Sequence, residues 1–168
     1  MERLALQLLA QVDRAWGLND GESARLLRWG AQLREIGMAI SYAGYHRHGA
    51  YLVENSDMPG FSRGDQWLLA ALVLGQRRRF HVDRFRALTG QQYPRALRLA
   101  LLLRLAARLN RTRSPRPRPW IDLRVEDAAV HLTFPAEWLD DRPLTRADLE
   151  GEVRYFAEVG YQLTWDAS

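Results

Sequence analysis

Three features of this sequence predict a mainly α fold, in which a multi-helix domain is followed by a small α+β domain with about three strands and one helix. Leucine and alanine recur at spacings of three and four through most of residues 1–110, which is the periodicity of amphipathic and buried helices. The run Arg111-Thr112-Arg113-Ser114-Pro115-Arg116-Pro117-Arg118-Pro119 alternates arginine with proline and suits neither a helix nor a central strand. Beyond it, apolar segments on either side of Glu126-Asp127 read as strands. The expected organisation is a helical domain over 1–110, an Arg/Pro linker over 111–119 and an α+β domain over 120–168.

Taken in order, residues 2–16 place Leu4, Leu8, Val12 and Ala15 on one face, and Gly17 with Asn19-Asp20-Gly21 ends that helix. A second helix starts near Glu22 or Ser23, turns Leu26, Leu27, Trp29, Leu33 and Ile36 to a core, and stops around Gly37. The stretch Ser41–Tyr51 opens on small, turn-prone residues and reads as a loop carrying polar groups, with helix over Ala50–Val53. Ser62-x-x-Asp65 then caps a helix through Trp67, Leu68, Leu69, Ala71, Leu72 and Leu74, which breaks near Gly75. A short helix covers 82–88, and Thr89-Gly90 turns the chain. Pro94 fits the first turn of a long helix reaching about Asn110, where its missing N–H costs nothing. Leucines lie nearly all round that helix, so it should be buried.

After the linker, strands are expected over 120–125 and 128–134, then a short turn at Trp138-Leu139. Thr145-x-x-Asp148 reads as the cap of a helix from about Arg146 to Glu158, ended by Gly160, and Tyr161–Trp165 as a third strand. Trp16, Trp29 and Trp67 sit at helical apolar spacing and are expected in the core.

With 47% hydrophobic residues the chain can fill a core, and without cysteine it has no disulfide, thiolate metal site or thiol nucleophile. No segment approaches the length of a membrane span, and a cytoplasmic location is expected. All 24 basic residues are arginine. Residues 1–118 hold 20 of them against 9 acids, and residues 119–168 hold 4 against 11. A basic part joined to an acidic part implies an anionic partner for the first, or docking between the two.

Protonatable chemistry concentrates in two places. His46, Arg47 and His48 lie among three tyrosines between Ser41 and Tyr51, and Arg77, Arg78 and Arg79 follow the helix that ends near Gly75. Arginine and protonated histidine make short, strong hydrogen bonds to phosphate oxygens. The alternatives are a satisfied core histidine and an arginine run that complements a helix dipole. His81 and His131 read as structural, and Arg34 can pair internally with Glu35.

The segments Leu33–Gly37, Ser41-x-x-Gly44-Tyr45-His46-Arg47-His48-x-Ala50-Tyr51, Glu54–Phe61 and Leu72–Arg78 resemble the C-terminal region of the exopolyphosphatase/guanosine-pentaphosphate phosphatase family. The resemblance resumes weakly at Leu132-x-Phe134-Pro135-x-x-Trp138 and covers essentially the whole chain. It implies an HD-like helical domain plus a small α+β domain. The family's hydrolytic site lies in N-terminal domains similar to acetate and sugar kinases, so the resemblance implies a polyphosphate-binding and dimer-forming region that is inactive alone. Magnesium would belong to those catalytic domains, with no cofactor in this chain. Polyphosphate contact is expected from His46, Arg47, His48, Arg77, Arg78, Arg79 and Arg34. The expected partners are a phosphate-rich anion, the catalytic domains and a second copy, with no membrane and no specific nucleic acid. An alternative is a residual HD-type metal phosphohydrolase acting on a guanosine polyphosphate. Its His-Asp doublet would fall at Arg34-Glu35, and arginine has no lone pair to ligate a metal.

Overall fold

In the computed structural model, which describes residues 1–111 and 119–167, the chain packs around its most leucine-rich helix. Most of the Arg/Pro run expected as a linker, residues 112–118, lies outside the described residues. The described residues form α1 (Glu2–Val12), α2 (Gly21–Leu33), a 3-10 turn (Ile36–Ala39), α3 (Tyr45–Asn55), α4 (Arg63–Gly75), α5 (Val82–Arg86) and α6 (Gln92–Leu109). β1 (Asp122–Glu126), β2 (Ala129–Phe134), α7 (Pro143–Glu158) and β3 (Gln162–Ala167) follow. The architecture is mainly α with a small α+β part, as expected.

The helix boundaries have local causes. Asp20 caps α2 by accepting from the Ser23 N–H at 2.5 Å. Ser62 and Asp65 form a reciprocal capping box on α4, with bonds of 3.1 and 3.2 Å. Arg25 reaches Asp65 at 3.1 Å, so the same carboxylate that caps α4 ties it to α2. Leu97, Leu99, Leu101, Leu102, Leu103, Leu105 and Leu109 of α6 are all buried, and the helix contacts α1, α2, α4, α5 and α7.

β1 and β2 pair antiparallel, with Leu123 opposite Leu132, and β3 runs parallel to β2 after the crossover through α7. Leu123, Val130, Leu132, Phe134 and Leu163 turn inward and join the same buried cluster as Leu4, Leu8 and Leu101. Gln11 of α1 stitches β1 to the helices, donating to the Ile121 carbonyl at 3.2 Å and accepting from the Leu123 N–H at 2.9 Å.

Four expectations are corrected. The stretch read as a loop is helical from Tyr45 onward, because α3 docks against both α4 and the 3-10 turn. Trp29 and Trp67, expected in the core with Trp16, are 37% and 47% exposed, whereas Trp16 is buried. Trp29 instead lies edge-on to Phe61, with centroids 5.5 Å apart. Ile36, expected in the core as part of α2, belongs to the 3-10 turn and is exposed. Thr145 is no cap: Pro143 starts α7 one turn earlier than expected, and Thr145 lies buried in its first turn.

Candidate functional site: an arginine-lined cleft

The ends of α2, α4 and α6 converge beside the start of α3. They enclose a cleft of about 380 Å³ lined by Arg34, Glu35, Gln76, Arg77, Arg108 and Arg111, with Tyr42 and Tyr45 on one side. α4 must end close to α5: a side chain at Gly75 would meet the Phe85 ring at 2.8 Å. The next residue, Gln76, is buried and spends its amide hydrogens on the Arg34 carbonyl at 2.5 Å and the Val73 carbonyl at 3.1 Å. That pair of bonds joins the end of α2 to the end of α4, and so sets Arg34 beside Arg77.

Each cleft arginine is held differently. Arg34 pairs with its neighbour Glu35. Arg77 places its guanidinium over the Tyr45 ring, 5.2 Å from the centroid. Arg108 donates through Nε to Glu152 at 2.7 Å, and Arg111 through Nη1 to Asp148 at 2.7 and 2.9 Å. Tyr42 tilts against Tyr45 at 6.1 Å and is 72% exposed.

Next to the cleft, His46 occupies the first turn of α3 and is 1% exposed. Among the described residues neither ring nitrogen has a hydrogen-bond partner, and the ring lies tilted against that of His81 with centroids 6.4 Å apart. Burial above all, then the charges of Arg47, His81, Arg77 and Arg78, push its pKa down to about 4. His81 is lowered as well, by burial first and then by Arg79 and Arg47. Both imidazoles are thus neutral in the field of a cation cluster. Arg47, Arg78 and Arg79 are exposed, and with Arg77 they form no ion pair with any described residue. Arg78 adopts a left-handed backbone, φ +60°.

The structure therefore gathers Arg34 and Arg77 in the cleft, with His46, Arg47 and Arg78 beside it, whereas Arg79 lines a separate pocket with His81, Asp83 and Glu158. His48, two residues beyond His46 on α3, points to nearly the opposite side of the helix and is not part of this group. Sequence reasoning missed Arg108 and Arg111. The one signal for Arg108 is its four-residue spacing from Arg104 on α6, whereas Arg111 lies just beyond the end of that helix and opens the Arg/Pro run.

At Arg34-Glu35, where an HD enzyme's His-Asp doublet would fall, and at the neighbouring Gln76 the residues present do not fit a metal. Arg34 is a cation already paired with Glu35, and Gln76 is committed to two carbonyls. Among the described residues no three His, Asp or Glu side chains gather to hold a cation. Among the same residues no helix is long and apolar enough to cross a membrane.

Residues 1–153 match the family model described as Ppx/GppA phosphatase, domain III. The chain is 36% identical over 160 residues to a protein of Aeromonas hydrophila named guanosine-5'-triphosphate,3'-diphosphate pyrophosphatase, across 94% of this chain and 32% of that protein. Proteins of the same name from Vibrio cholerae and Pseudoalteromonas translucida are 36% and 33% identical, over 96% and 95% of this chain and 32% of their own lengths. The chain thus spans about a third of the length of these curated relatives.

Proposed function

Because the chain belongs to the Ppx/GppA phosphatase family, over its domain III, we propose that it is the polyphosphate-binding region of an exopolyphosphatase-like enzyme. It grips a linear phosphate-rich anion, and hydrolysis is left to the family's other domains. The observation that carries this reading is the cleft itself. Arg34, Arg77, Arg108 and Arg111 line one cavity, and beside it Arg47 and Arg78 are exposed with no ion pair to any described residue. Guanidinium groups bind successive phosphates through charge-assisted hydrogen bonds. The neutral, buried His46 supports the fold beneath them and supplies no charge. Ile36, Met38, Ile40 and Tyr42 expose apolar surface at the cleft's edge, which supports docking of the family's catalytic domains or of a second copy there.

Calorimetric titration with polyphosphates of graded length tests the reading. Affinity should rise with length until the cleft and the arginines beside it are both covered, and fall steeply as salt is added, because each phosphate contact releases counterions. Arg77→Ala should weaken binding about tenfold, the loss of one charged hydrogen-bonding group, with little change in melting temperature. Affinity indifferent to length and salt would end the proposal. The relatives are named for guanosine 5'-triphosphate 3'-diphosphate, so that nucleotide is the informative competitor. If it displaces polyphosphate, one surface serves both.

A further inference from the structure

Two cleft arginines, Arg108 on α6 and Arg111 just beyond its end, are held by one helix from the acidic end of the chain. Asp148 and Glu152 lie one turn apart on α7, and they meet Arg111 and Arg108 respectively. In each case the carboxylate takes only one edge of the guanidinium. Arg108 uses Nε and Arg111 uses Nη1, and the remaining donors of both have no bond to any other described residue. Each arginine lines the cleft while being gripped from behind.

Glu152 reaches further. It also accepts from Arg104, through Nε at 2.6 Å and Nη2 at 3.1 Å. Arg104 in turn donates through Nη1 at 2.6 Å to the carbonyl of Gly75, the residue just before Gln76 and Arg77. One buried carboxylate therefore orients Arg108 directly and, through Arg104, fixes the backbone from which Arg77 departs.

We infer that Asp148 and Glu152 of α7 are positioning residues for anion binding in the cleft: they pre-orient Arg108 and Arg111 so that a phosphate meets cations already in place. The inference rests on the phosphate-binding reading above and adds to it a role for residues that touch no phosphate. A free arginine side chain loses much rotamer freedom when a ligand orders it, and a pre-ordered one avoids that loss.

The sign of the effect separates positioning from simple charge balance. If the carboxylates only neutralised the arginines, removing one would make the cleft more positive and tighten anion binding. If they position the arginines, removing one loosens it. The test is titration of the chain with inorganic tripolyphosphate, well below the melting temperature. Asp148→Ala, on the partly exposed rim, should weaken binding by about three- to tenfold, and Asp148→Glu should restore most of it. Glu152→Gln should weaken it further, through Arg77 as well as Arg108. Unchanged or tighter binding by Asp148→Ala overturns the inference and leaves the phosphate-binding reading standing. A wild-type chain that binds neither tripolyphosphate nor longer chains overturns both.

Discussion

At the scale of the residue, His46 combines two properties that rarely meet: it is buried, and both ring nitrogens lack a partner among the described residues. Its position in a basic, tyrosine-rich stretch makes it look like a phosphate ligand in the sequence. Burial is what the sequence could not reveal, since that depends on α4 and His81 closing over the ring. The pH dependence follows with a definite sign. The folded chain holds the group near pKa 4, against 6.5 for the free side chain. Between those values the unfolded chain takes up a proton that the folded chain refuses. Stability is therefore full above about pH 6.5, declines as the pH falls, and has lost roughly 3 kcal/mol by about pH 4. His81 is shifted the same way and adds to the same decline. The urea midpoint of His46→Leu should fall less between pH 7 and pH 5 than that of the wild type. An equally steep fall would assign the effect to His81 and the carboxylates.

At the scale of the element, the 3-10 turn and α3 approach so closely that only glycine fits. A side chain at Gly37 would overlap the Tyr45 carbonyl and the Gly49 amide, and one at Gly49 would meet Val73 at 2.9 Å. Gly37→Ala should therefore cost about 3 kcal/mol, read as a lowered urea midpoint with an unchanged slope. This contact explains why the first half of α3 was illegible beforehand, although Ala50–Val53 reads as helix. His46, His48 and Gly49 are weak helix formers, and the helix exists because α4 and the turn pack against it. Elements with local signals were legible. Ser62 and Asp65 form the capping box that their spacing announces, Pro94 stands in the first turn of α6, and Gly160 turns left-handed at φ +83° after α7. Thr145 misled because Pro143 starts the helix first.

At the scale of the whole molecule, the cleft draws on four segments far apart in the chain, which is why only part of it could be foreseen. Arg34 and Arg77 stand in runs with unusual chemistry, whereas Arg108 is an ordinary-looking arginine on a leucine-rich helix and Arg111 opens what reads as a linker, until α7 is set against them. The pair that sets α7 there is Arg104–Glu152, fully buried, with the guanidinium 4.6 Å from the Phe80 ring centroid and 4.7 Å from that of Tyr155. Removing Arg104 leaves Glu152 in the interior with Arg108 as its one ion-pair partner among the described residues, whereas replacing both partners removes the buried charges together. Arg104→Met alone should lose about 3–5 kcal/mol of stability in urea unfolding. Arg104→Met combined with Glu152→Met should recover most of that loss. If the double variant is no more stable than the single one, the pair's worth lies in packing on the rings.

The pairing of the sheet also governs the order of assembly. β1 and β2 are joined by a tight reversal at Asp127, which holds φ +48°, so they can zip together as soon as both are made. β3 lies alongside β2 in the same direction, and its place stays vacant until the whole of α7 has been synthesised and laid down. Closing that longer loop costs more chain entropy than turning the hairpin. Of the two strand pairings, β2 with β3 closes the longer loop, and until it forms the edge of β2 stands open to strands from other molecules.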